Sequence, residues 1–356
     1  MRFTPSLVAV AIATVCAATQ AQIFTNQETV ARNNYLTAIG VPQAWARGIT
    51  GKGSVIAVID NGFSITHTDL AQQVIGSRNF YGYASFTWGL HGTQMASIAA
   101  GAANGSGTVG VAPDAKLLLA QAGNGGTTSS IDMASVRKAM TWADAQGATV
   151  INLSLGSTYD STFKANTVQI APGIYRADPK YGRAATLSSP AYYAALYSQS
   201  LADMVAFTSA TRNAVVVASA GNSASGYAQF PGAFATRTDA NGNLLMGGRV
   251  LIVGNVKGDG KGGWVMDASS NRAGSLCFDI VNNVCQDKYY VRDFYVVAPG
   301  NAILGAVPDQ ARTPSAVAAG STNGVGGVSG TSPSAALVSG GIALMRQAWP
   351  QLNSAT

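Results

Sequence analysis

Charged side chains and histidine are scarce in this sequence, and their scarcity limits the possible functions. Of 356 residues, 11% are charged, two are His and three are Cys, whereas 47% are hydrophobic and 41 are Gly. A chain of this composition is not disordered and can bury one large core. The formal net charge is +6, but Lys and Arg form no run along the chain, so we do not expect a nucleic-acid partner.

Long apolar runs are also missing, except at the start of the chain. Arg2 precedes an apolar stretch from Leu7 to Ala18, and small residues then suit cleavage after Ala21. This pattern is typical of a secretory signal peptide over residues 1–21 and is too short for a stable membrane span. We therefore expect an exported protein without a membrane span, in the periplasm, at the cell surface or outside the cell.

Cysteine use agrees with export. Removal of the leader leaves Cys277 and Cys285, and an even pair in an exported chain favours one disulfide that closes a short loop. The alternative is a pair of buried free thiols.

Short continuous apolar runs alternate with helical patterns. The runs lie at residues 54–60, 116–122, 148–155, 214–222, 250–256 and 294–300. Continuous runs are typical of strands that are covered on both faces. Between them, Ser130 can cap and Gly147 can end one helix, and residues 192–213 form a second helical stretch. The pattern predicts an α/β fold with a mostly parallel sheet, interrupted by surface insertions at 157–190 and 233–249.

Four polar residues stand at the ends of predicted elements. Asp60 ends a strand, where parallel α/β folds bind ligands, although the following turn sequence would also suit a cap. His91 precedes small residues that would leave its ring in a crevice, although a lone histidine is more often structural. Asn222 ends another strand, and Ser332 opens a helix of small residues. If they met, His91 would activate the Ser332 hydroxyl, Asp60 would orient His91, and the Asn222 amide would stabilise an oxyanion.

Seven segments stand in order over residues 55–345 of the chain. They read VIAVIDNGFSITHTDL, HGTQMASIAAG, VGVAPDAKLL, INLSLG, VVVASAGN, VVAPG and GTSPSAALVSGGIAL. Together they resemble the motifs of the subtilisin-like serine proteases. The resemblance implies a three-layer, doubly wound sheet, an Asp60–His91–Ser332 triad and an oxyanion hole at Asn222. It also implies two backbone walls that hold a polypeptide substrate, formed by Ser154, Leu155 and Gly156 and by Ser219, Ala220 and Gly221.

The resemblance extends to residues outside the chemistry. Asp69 and Asn104 match two calcium ligands of the family, so a structural Ca²⁺ is possible, although Asp and Asn suit turns equally well. No cofactor is required for the chemistry. His67 matches a structural histidine, and Gln229 matches a position near the floor of the pocket for the P1 side chain. A polar residue of this size predicts a shallow or polar pocket.

Three departures from the family pattern add expectations. Pro333 replaces a residue with an N–H group, which a first helical turn tolerates, and it should keep Ser332 away from helical dihedrals. No folding prodomain is evident between Gln22 and the start of the peptidase domain, which we assign to residues 22–356. The paired cysteines resemble those of autotransporter subtilase domains, and the ending suggests a truncated domain with a missing C-terminal part.

The predicted function is therefore a secreted serine endopeptidase that works through an acyl-enzyme. The alternative is a catalytically inactive surface passenger that binds or adheres, although a binding module has no need of all four polar residues. An esterase would require a G-x-S-x-G elbow, which the GTSPS segment does not match.

Overall fold

The structure is a computed structural model, and it describes residues 34–82, 85–127, 130–156, 167–177, 214–239, 241–277, 280–282, 284–311 and 324–352. The predicted signal peptide and the helical stretch at 192–213 lie outside the described residues. Of the predicted insertion at 157–190, the described part is 167–177.

Helices and strands alternate along most of the described chain. The helices are α1 (Asn34–Ala38), α2 (Val41–Trp45), α3 (Thr68–Ala71), α4 (Leu90–Ala100), α5 (Met133–Ala145) and α6 (Thr331–Ala348). The strands are β1 (Val55–Asp60), β2 (Val74–Asn79), β3 (Lys116–Gln121), β4 (Val150–Leu153), β5 (Thr167–Ala171), β6 (Ile174–Ala177), β7 (Val215–Ser219), β8 (Val250–Gly258), β9 (Trp264–Met266), β10 (Ser275–Leu276), β11 (Ile280–Val281), β12 (Val284–Cys285), β13 (Tyr295–Pro299), β14 (Ile303–Val307) and β15 (Gly324–Val328). Within the described residues, none of the helices is long and apolar enough to cross a membrane.

A mostly parallel sheet forms the centre of the molecule. Its strands follow the order β13-β8-β7-β4-β1-β3-β2, and β9 pairs with β8 in the antiparallel sense. Along the parallel path, β1 lies between β3 and β4, and β4 pairs with β7. Because these strands run in the same direction, their carboxyl ends meet at one edge of the sheet. That edge carries the polar residues that the sequence places at strand ends.

Both faces of the sheet are buried, which explains why its strands are continuous apolar runs. In β1, Ile56 and Val58 pack into a core shared with α4 and α6, whereas Ala57 and Ile59 pack into a second core shared with α5. All four side chains are fully buried. The predicted α/β, doubly wound architecture is therefore confirmed, and all six predicted runs contain sheet strands.

The sequence analysis missed β2 because this strand lies at an edge of the sheet. Its residues alternate between partly buried and exposed, and Ile75 is 55% exposed. A strand that is covered on one face lacks the continuous apolar signal of its neighbours.

The predicted cap of helix α5 is wrong. Helix α5 begins after Asp132, whose carboxylate accepts the backbone N–H of Ser135 at 2.7 Å, so Asp132 and not Ser130 is the cap. Gly147 lies just past the end of this helix in the left-handed region (φ 81°), as predicted.

The prediction that residues 233–249 form a surface insertion is wrong for part of the segment. Its first residues belong to a buried 3₁₀ helix, Gly232–Thr236, and Met246 is fully buried.

The structure contains the predicted disulfide between Cys277 and Cys285, with an S–S distance of 2.00 Å and a Cα–Cα distance of 5.8 Å. The two residues are eight positions apart, and Cys277 is 1% exposed. The bond closes the β11–β12 hairpin onto the segment that follows β10. A disulfide stabilises such a loop mainly by restricting the unfolded chain.

Replacing both cysteines, Cys277→Ala with Cys285→Ala, should lower the free energy of unfolding by about 2–3 kcal/mol, the loop-entropy value for a loop of this size. Denaturant unfolding of the oxidised protein and of the double variant measures the difference. Reductant should lower the free energy of unfolding of the wild-type protein and leave that of the double variant unchanged. Two titratable free thiols in non-reduced protein would contradict the bond.

Candidate active site

Asp60 and His91 form a hydrogen-bonded pair at the carboxyl edge of the sheet. Asp60 ends β1 and is 1% exposed, and His91 is the second residue of α4. The His91 Nδ1 atom lies 2.9 Å from both carboxylate oxygens, and the backbone N–H of Asn61 donates to Oδ1 at 2.7 Å. Because a carboxylate only accepts hydrogen bonds, Nδ1 carries the proton, and Nε2 is left as the base.

Helix α4 can approach β1 this closely because Gly92 follows the histidine. A Cβ atom at Gly92 would overlap the carbonyl oxygen of Gly62 and lie 3.0 Å from Asp60 Cβ. The glycine in the HGT segment therefore has a steric cause, since any larger residue would push His91 away from its carboxylate.

The environment of His91 favours its protonated form. Burial alone lowers the pKa of His91, but the charge of Asp60 and the hydrogen bond to it together raise the pKa above its usual value. The imidazole side chain is 27% exposed and the carboxylate 2% exposed, so the pair is reachable from the solvent only through the histidine.

Ser332 lies in the first turn of α6, beside β4. Its Oγ atom donates to the carbonyl oxygen of Ser154 at 3.3 Å, and the Ser154 hydroxyl donates to the carbonyl oxygen of Ser332 at 2.9 Å. The helix begins at Thr331 after Gly330 and includes Ser332, so the expectation that Pro333 keeps Ser332 away from helical dihedrals is wrong, although Ser332 does lie at the helix entrance. Pro333 is the third helical residue, where the missing N–H has no partner to lose within the helix.

Asn222 is held against the start of α6 by Thr331. Its Oδ1 atom accepts the backbone N–H of Thr331 at 2.8 Å and the Thr331 hydroxyl at 3.0 Å. Two donors on one oxygen fix the orientation of the amide and leave the NH₂ group to point elsewhere. The sequence analysis did not find this role of Thr331, although the residue stands next to the candidate nucleophile.

The two predicted backbone walls face each other and are joined by Gln229. The Gln229 Nε2 atom donates to the carbonyl oxygens of Leu155 and Ser219, each at 3.2 Å. The residue as a whole is 9% exposed. A Cβ atom at Gly156 would overlap the Gln229 amide. Gln229 therefore fills space between the walls, and the shallow or polar pocket for P1 stays a prediction.

One cleft of about 540 Å³ collects the predicted residues. Its lining contains Asp60, His91, Ser154, Leu155, Gly156, Ser219, Asn222, Gln229 and Ser332. Ala220 and Gly221 are buried behind it in the wall that follows β7. A base, a hydroxyl and an amide donor thus share one concave site, which is the arrangement that acyl transfer needs.

The candidate calcium ligands lie away from this cleft and have other partners. Asp69 is fully buried, and its Oδ2 atom accepts the backbone N–H of Thr108 at 2.9 Å. The Asn104 Oδ1 atom accepts the backbone N–H of Ser106 at 3.0 Å. Calcium requires six to eight oxygen ligands, and an amide oxygen that accepts one N–H keeps a second lone pair with which it can bind an ion. The calcium site stays a prediction.

His67 has the contacts of a structural residue. It is 3% exposed, its Nδ1 atom accepts the backbone N–H of Asp69 at 3.2 Å, and its Nε2 atom lies 3.2 Å from the carbonyl oxygen of Gly324. The imidazole therefore joins α3 to β15, outside the cleft.

Comparison with known proteins agrees with this geometry. A family model described as the subtilase family (peptidase S8) matches residues 51–356. The chain belongs to the subtilase family. Among curated subtilases, it is 34% identical over 171 residues to subtilisin Savinase from Lederbergia lenta, which is 45% of this chain and 59% of that protein. It is 38% identical over 140 residues to thermitase from Thermoactinomyces vulgaris, which is 37% of this chain and 48% of thermitase.

The fold also resembles the solved structures of other proteases. Fervidolysin from Fervidobacterium pennivorans aligns with a TM-score of 0.55 and 24% identity over 90% of this chain and 40% of fervidolysin. The prenylagaramide maturation protease PagA aligns with a TM-score of 0.51 and 21% identity over 86% of this chain and 80% of PagA. At these identities the likeness shows the fold alone. The chain spans between 21% and 59% of the length of the curated relatives it matches.

The two histidines allow the pairing of His91 to be tested directly. The His91 pKa should lie above the ordinary value of about 6.5, and Asp60→Asn should bring it below that value, because burial then acts alone. Since the folded-state pKa is raised, the stability that the pair contributes is present below about pH 6.5 and is lost as the pH rises through the folded-state pKa.

Imidazole NMR titration of the folded protein and of Asp60→Asn measures this pKa. His67 serves as the control in the same spectra, because it bonds to Asp69 and Gly324 outside the cleft. An unchanged His91 titration in Asp60→Asn would show that the carboxylate does not set the histidine's charge.

Proposed function

We propose that this subtilase is a secreted serine endopeptidase that hydrolyses peptide bonds through an acyl-enzyme. The observation that carries the proposal is the convergence of Asp60, His91, Ser332 and Asn222 on one cleft, with the imidazole bound to the carboxylate through Nδ1. Export is supported by the leader-like sequence of residues 1–21 and by curated relatives such as the minor extracellular protease Epr of Bacillus subtilis. We also propose that the domain is related to autotransporter subtilase domains, because its paired cysteines resemble theirs.

In the proposed mechanism, Ser332 Oγ attacks the scissile carbonyl carbon while His91 Nε2 takes the hydroxyl proton. The Asp60 carboxylate holds the imidazole in the required tautomer and stabilises its positive charge. In this structure the Ser332 hydroxyl bonds to Ser154, so it must turn toward His91 when substrate binds. Catalytic hydrogen bonds commonly tighten only in the complex.

The oxyanion of the tetrahedral intermediate would be bound by two donors. One is the NH₂ group of Asn222, whose oxygen is occupied by Thr331. The other is the backbone N–H of Ser332, which has no partner within the helix because it belongs to the first turn. His91 then protonates the leaving amine, and water cleaves the acyl-enzyme with His91 as the base.

A fluorophosphonate probe tests the proposal against the inactive-passenger alternative. Folded wild-type protein should form an adduct on Ser332, whereas Ser332→Ala should not react. Ser154 and Ser219 line the same cleft, and their hydroxyls bond to Ser332 and to Leu155, so they serve as internal controls in the peptide map. An unlabelled Ser332 in folded protein would favour a binding function.

The proposed machinery predicts a pattern across a variant series. Ser332→Ala should abolish acylation, and adding His91→Ala should cost little more, because the two residues act as one unit. Asn222→Ala should lower kcat by about 10²–10³, the size of effect known for such a donor in a subtilisin, with little change in KM.

The series is measured as kcat and KM on one chromogenic peptide, with folding checked by circular dichroism. Pro333→Met is the matched control from the same helix, and its kcat should stay within about an order of magnitude of wild type. Full activity in Ser332→Ala would refute the mechanism, and unchanged kcat in Asn222→Ala would remove Asn222 from it.

Gln229 should set the size of the P1 side chain that the enzyme accepts. In the wild type, the amide lies between the walls at Leu155 and Ser219, so small or polar P1 residues should be preferred. Gln229→Gly should raise kcat/KM for a P1 Phe peptide, relative to P1 Ala, by about tenfold or more, because burial of the ring is worth roughly 1.5–3 kcal/mol.

Matched peptides that differ only at P1 measure this preference. Gln229→Leu is the control, because it keeps the volume while it removes the amide, and it should keep the bias against Phe. A wild-type enzyme with a strong preference for large aromatic P1 residues would contradict the prediction.

A further inference from the structure

The loop that carries Asn222 has a conformation that needs external support. It follows β7, and residues 222–224 are exposed. Gly221 has a φ of 107°, and Ala224, which has a Cβ atom, has a φ of 52°. The left-handed region is unfavourable for alanine, so such a residue persists only where its surroundings hold it. An oxyanion donor on this loop would lose its position if the loop relaxed.

Asn271 is the residue that holds the loop on both sides of Asn222. Its side chain is fully buried, and its Oδ1 atom accepts the backbone N–H groups of Ser223 at 2.9 Å and Ser225 at 3.0 Å. Its own backbone N–H donates to the carbonyl oxygen of Gly221 at 2.9 Å. Three hydrogen bonds from one residue therefore bracket the candidate oxyanion donor.

The neighbours of Asn271 extend this contact into a ladder. The Ala224 N–H donates to the carbonyl oxygen of Ser269 at 2.8 Å, and the Arg272 N–H donates to the carbonyl oxygen of Ser225 at 2.9 Å. The first of these bonds is made by the strained residue itself. The segment 269–272 thus forms the surface on which the loop takes its shape.

The segment is in turn fixed to the central sheet. The Tyr295 hydroxyl, at the start of β13, donates to the carbonyl oxygen of Asn271 at 2.6 Å. The Ser270 hydroxyl donates to the same carbonyl at 3.1 Å and accepts the backbone N–H of Asn255, in β8, at 3.0 Å. Asn271 therefore connects two parallel strands to the loop.

We propose that Asn271 is a positioning residue for the oxyanion hole, which acts by holding the backbone around Asn222. The proposal rests on the proposed function, because Asn222 needs a position only if an oxyanion forms. Thr331 orients the amide side chain, whereas Asn271 fixes the backbone from which that side chain extends. A donor aimed at developing charge works only if it is already in place, and a displacement of about 1 Å is costly.

Kinetics of the full chain on a chromogenic peptide test the proposal. Asn271→Ala should lower kcat by about ten- to a hundredfold, which is less than loss of the Asn222 amide itself, with KM nearly unchanged. Asn271→Asp keeps an oxygen acceptor for both N–H groups and should restore most of the lost rate. A peptide aldehyde, whose hemiacetal oxygen occupies the oxyanion position, should bind more weakly to Asn271→Ala by the same factor as kcat falls.

A double-mutant cycle separates positioning from general structural damage. In an Asn222→Ala background, Asn271→Ala should cost less than about threefold in kcat, because the donor that it positions is gone. Ser225→Ala removes a buried hydroxyl from the same loop and is the matched control, since it keeps the backbone N–H that Asn271 accepts, and its kcat should stay close to the parent value. If Asn271→Ala does not fold, Asn271→Ser replaces it, because a shorter side chain cannot reach both N–H groups.

Two results would overturn the proposal while leaving the proposed function intact. They are a folded Asn271→Ala protein with kcat within about twofold of wild type, and an undiminished penalty in the Asn222→Ala background. Both assume that fluorophosphonate labels wild-type Ser332. An unlabelled Ser332 in folded wild-type protein would overturn the proposed function and this inference together.

Discussion

The hydrogen bond between the Asp60 carboxylate and His91 is the interaction on which the arrangement of the cleft depends. A carboxylate at the end of a strand that is buried on both faces loses its hydration, and this loss must be offset by donors. His91 Nδ1 and the backbone N–H of Asn61 supply them. Because His91 is the second residue of α4, the same bond fixes where that helix begins. The electrostatic requirement of the strand end therefore also orients the imidazole of His91.

The small residues of α6 give the second half of the cleft its position. Ser334 Oγ lies 3.1 Å from the carbonyl oxygens of Ala298 and Pro299, which share its one proton, and Ser339 Oγ donates to the Asn152 side chain in β4. Short hydroxyl side chains let the helix lie close to the sheet while their polar atoms are satisfied. A helix with charged or bulky residues on this face could not approach β4 and β13 in the same way. The short, uncharged side chains of α6 therefore allow the close approach to the sheet that positions Ser332.

Sequence reasoning succeeded where the signal was local and failed where the contact was distant. The central strands were readable because burial on both faces leaves continuous apolar runs, and the candidate site residues were proposed from motif order. The β2 edge strand lacks such a run. The Asp132 cap was missed because Ser130 and Asp132 are both good caps, and only the backbone path selects between them. The partners Thr331–Asn222 and Asn271–Ser223 are separated by 109 and 48 positions, so no local pattern could pair them.

Gln229 shows how one side chain couples two properties of the cleft. In the proposed substrate complex, its amide lies in the space that a P1 side chain would enter, which would limit the depth of that space. The same amide donates to carbonyl oxygens on both walls, at Leu155 and at Ser219. Buried carbonyl groups that lose their donor carry a desolvation cost of about 1–3 kcal/mol. A deeper pocket would therefore require either water or new donors to replace the bonds across the walls, so pocket depth and wall rigidity cannot change independently.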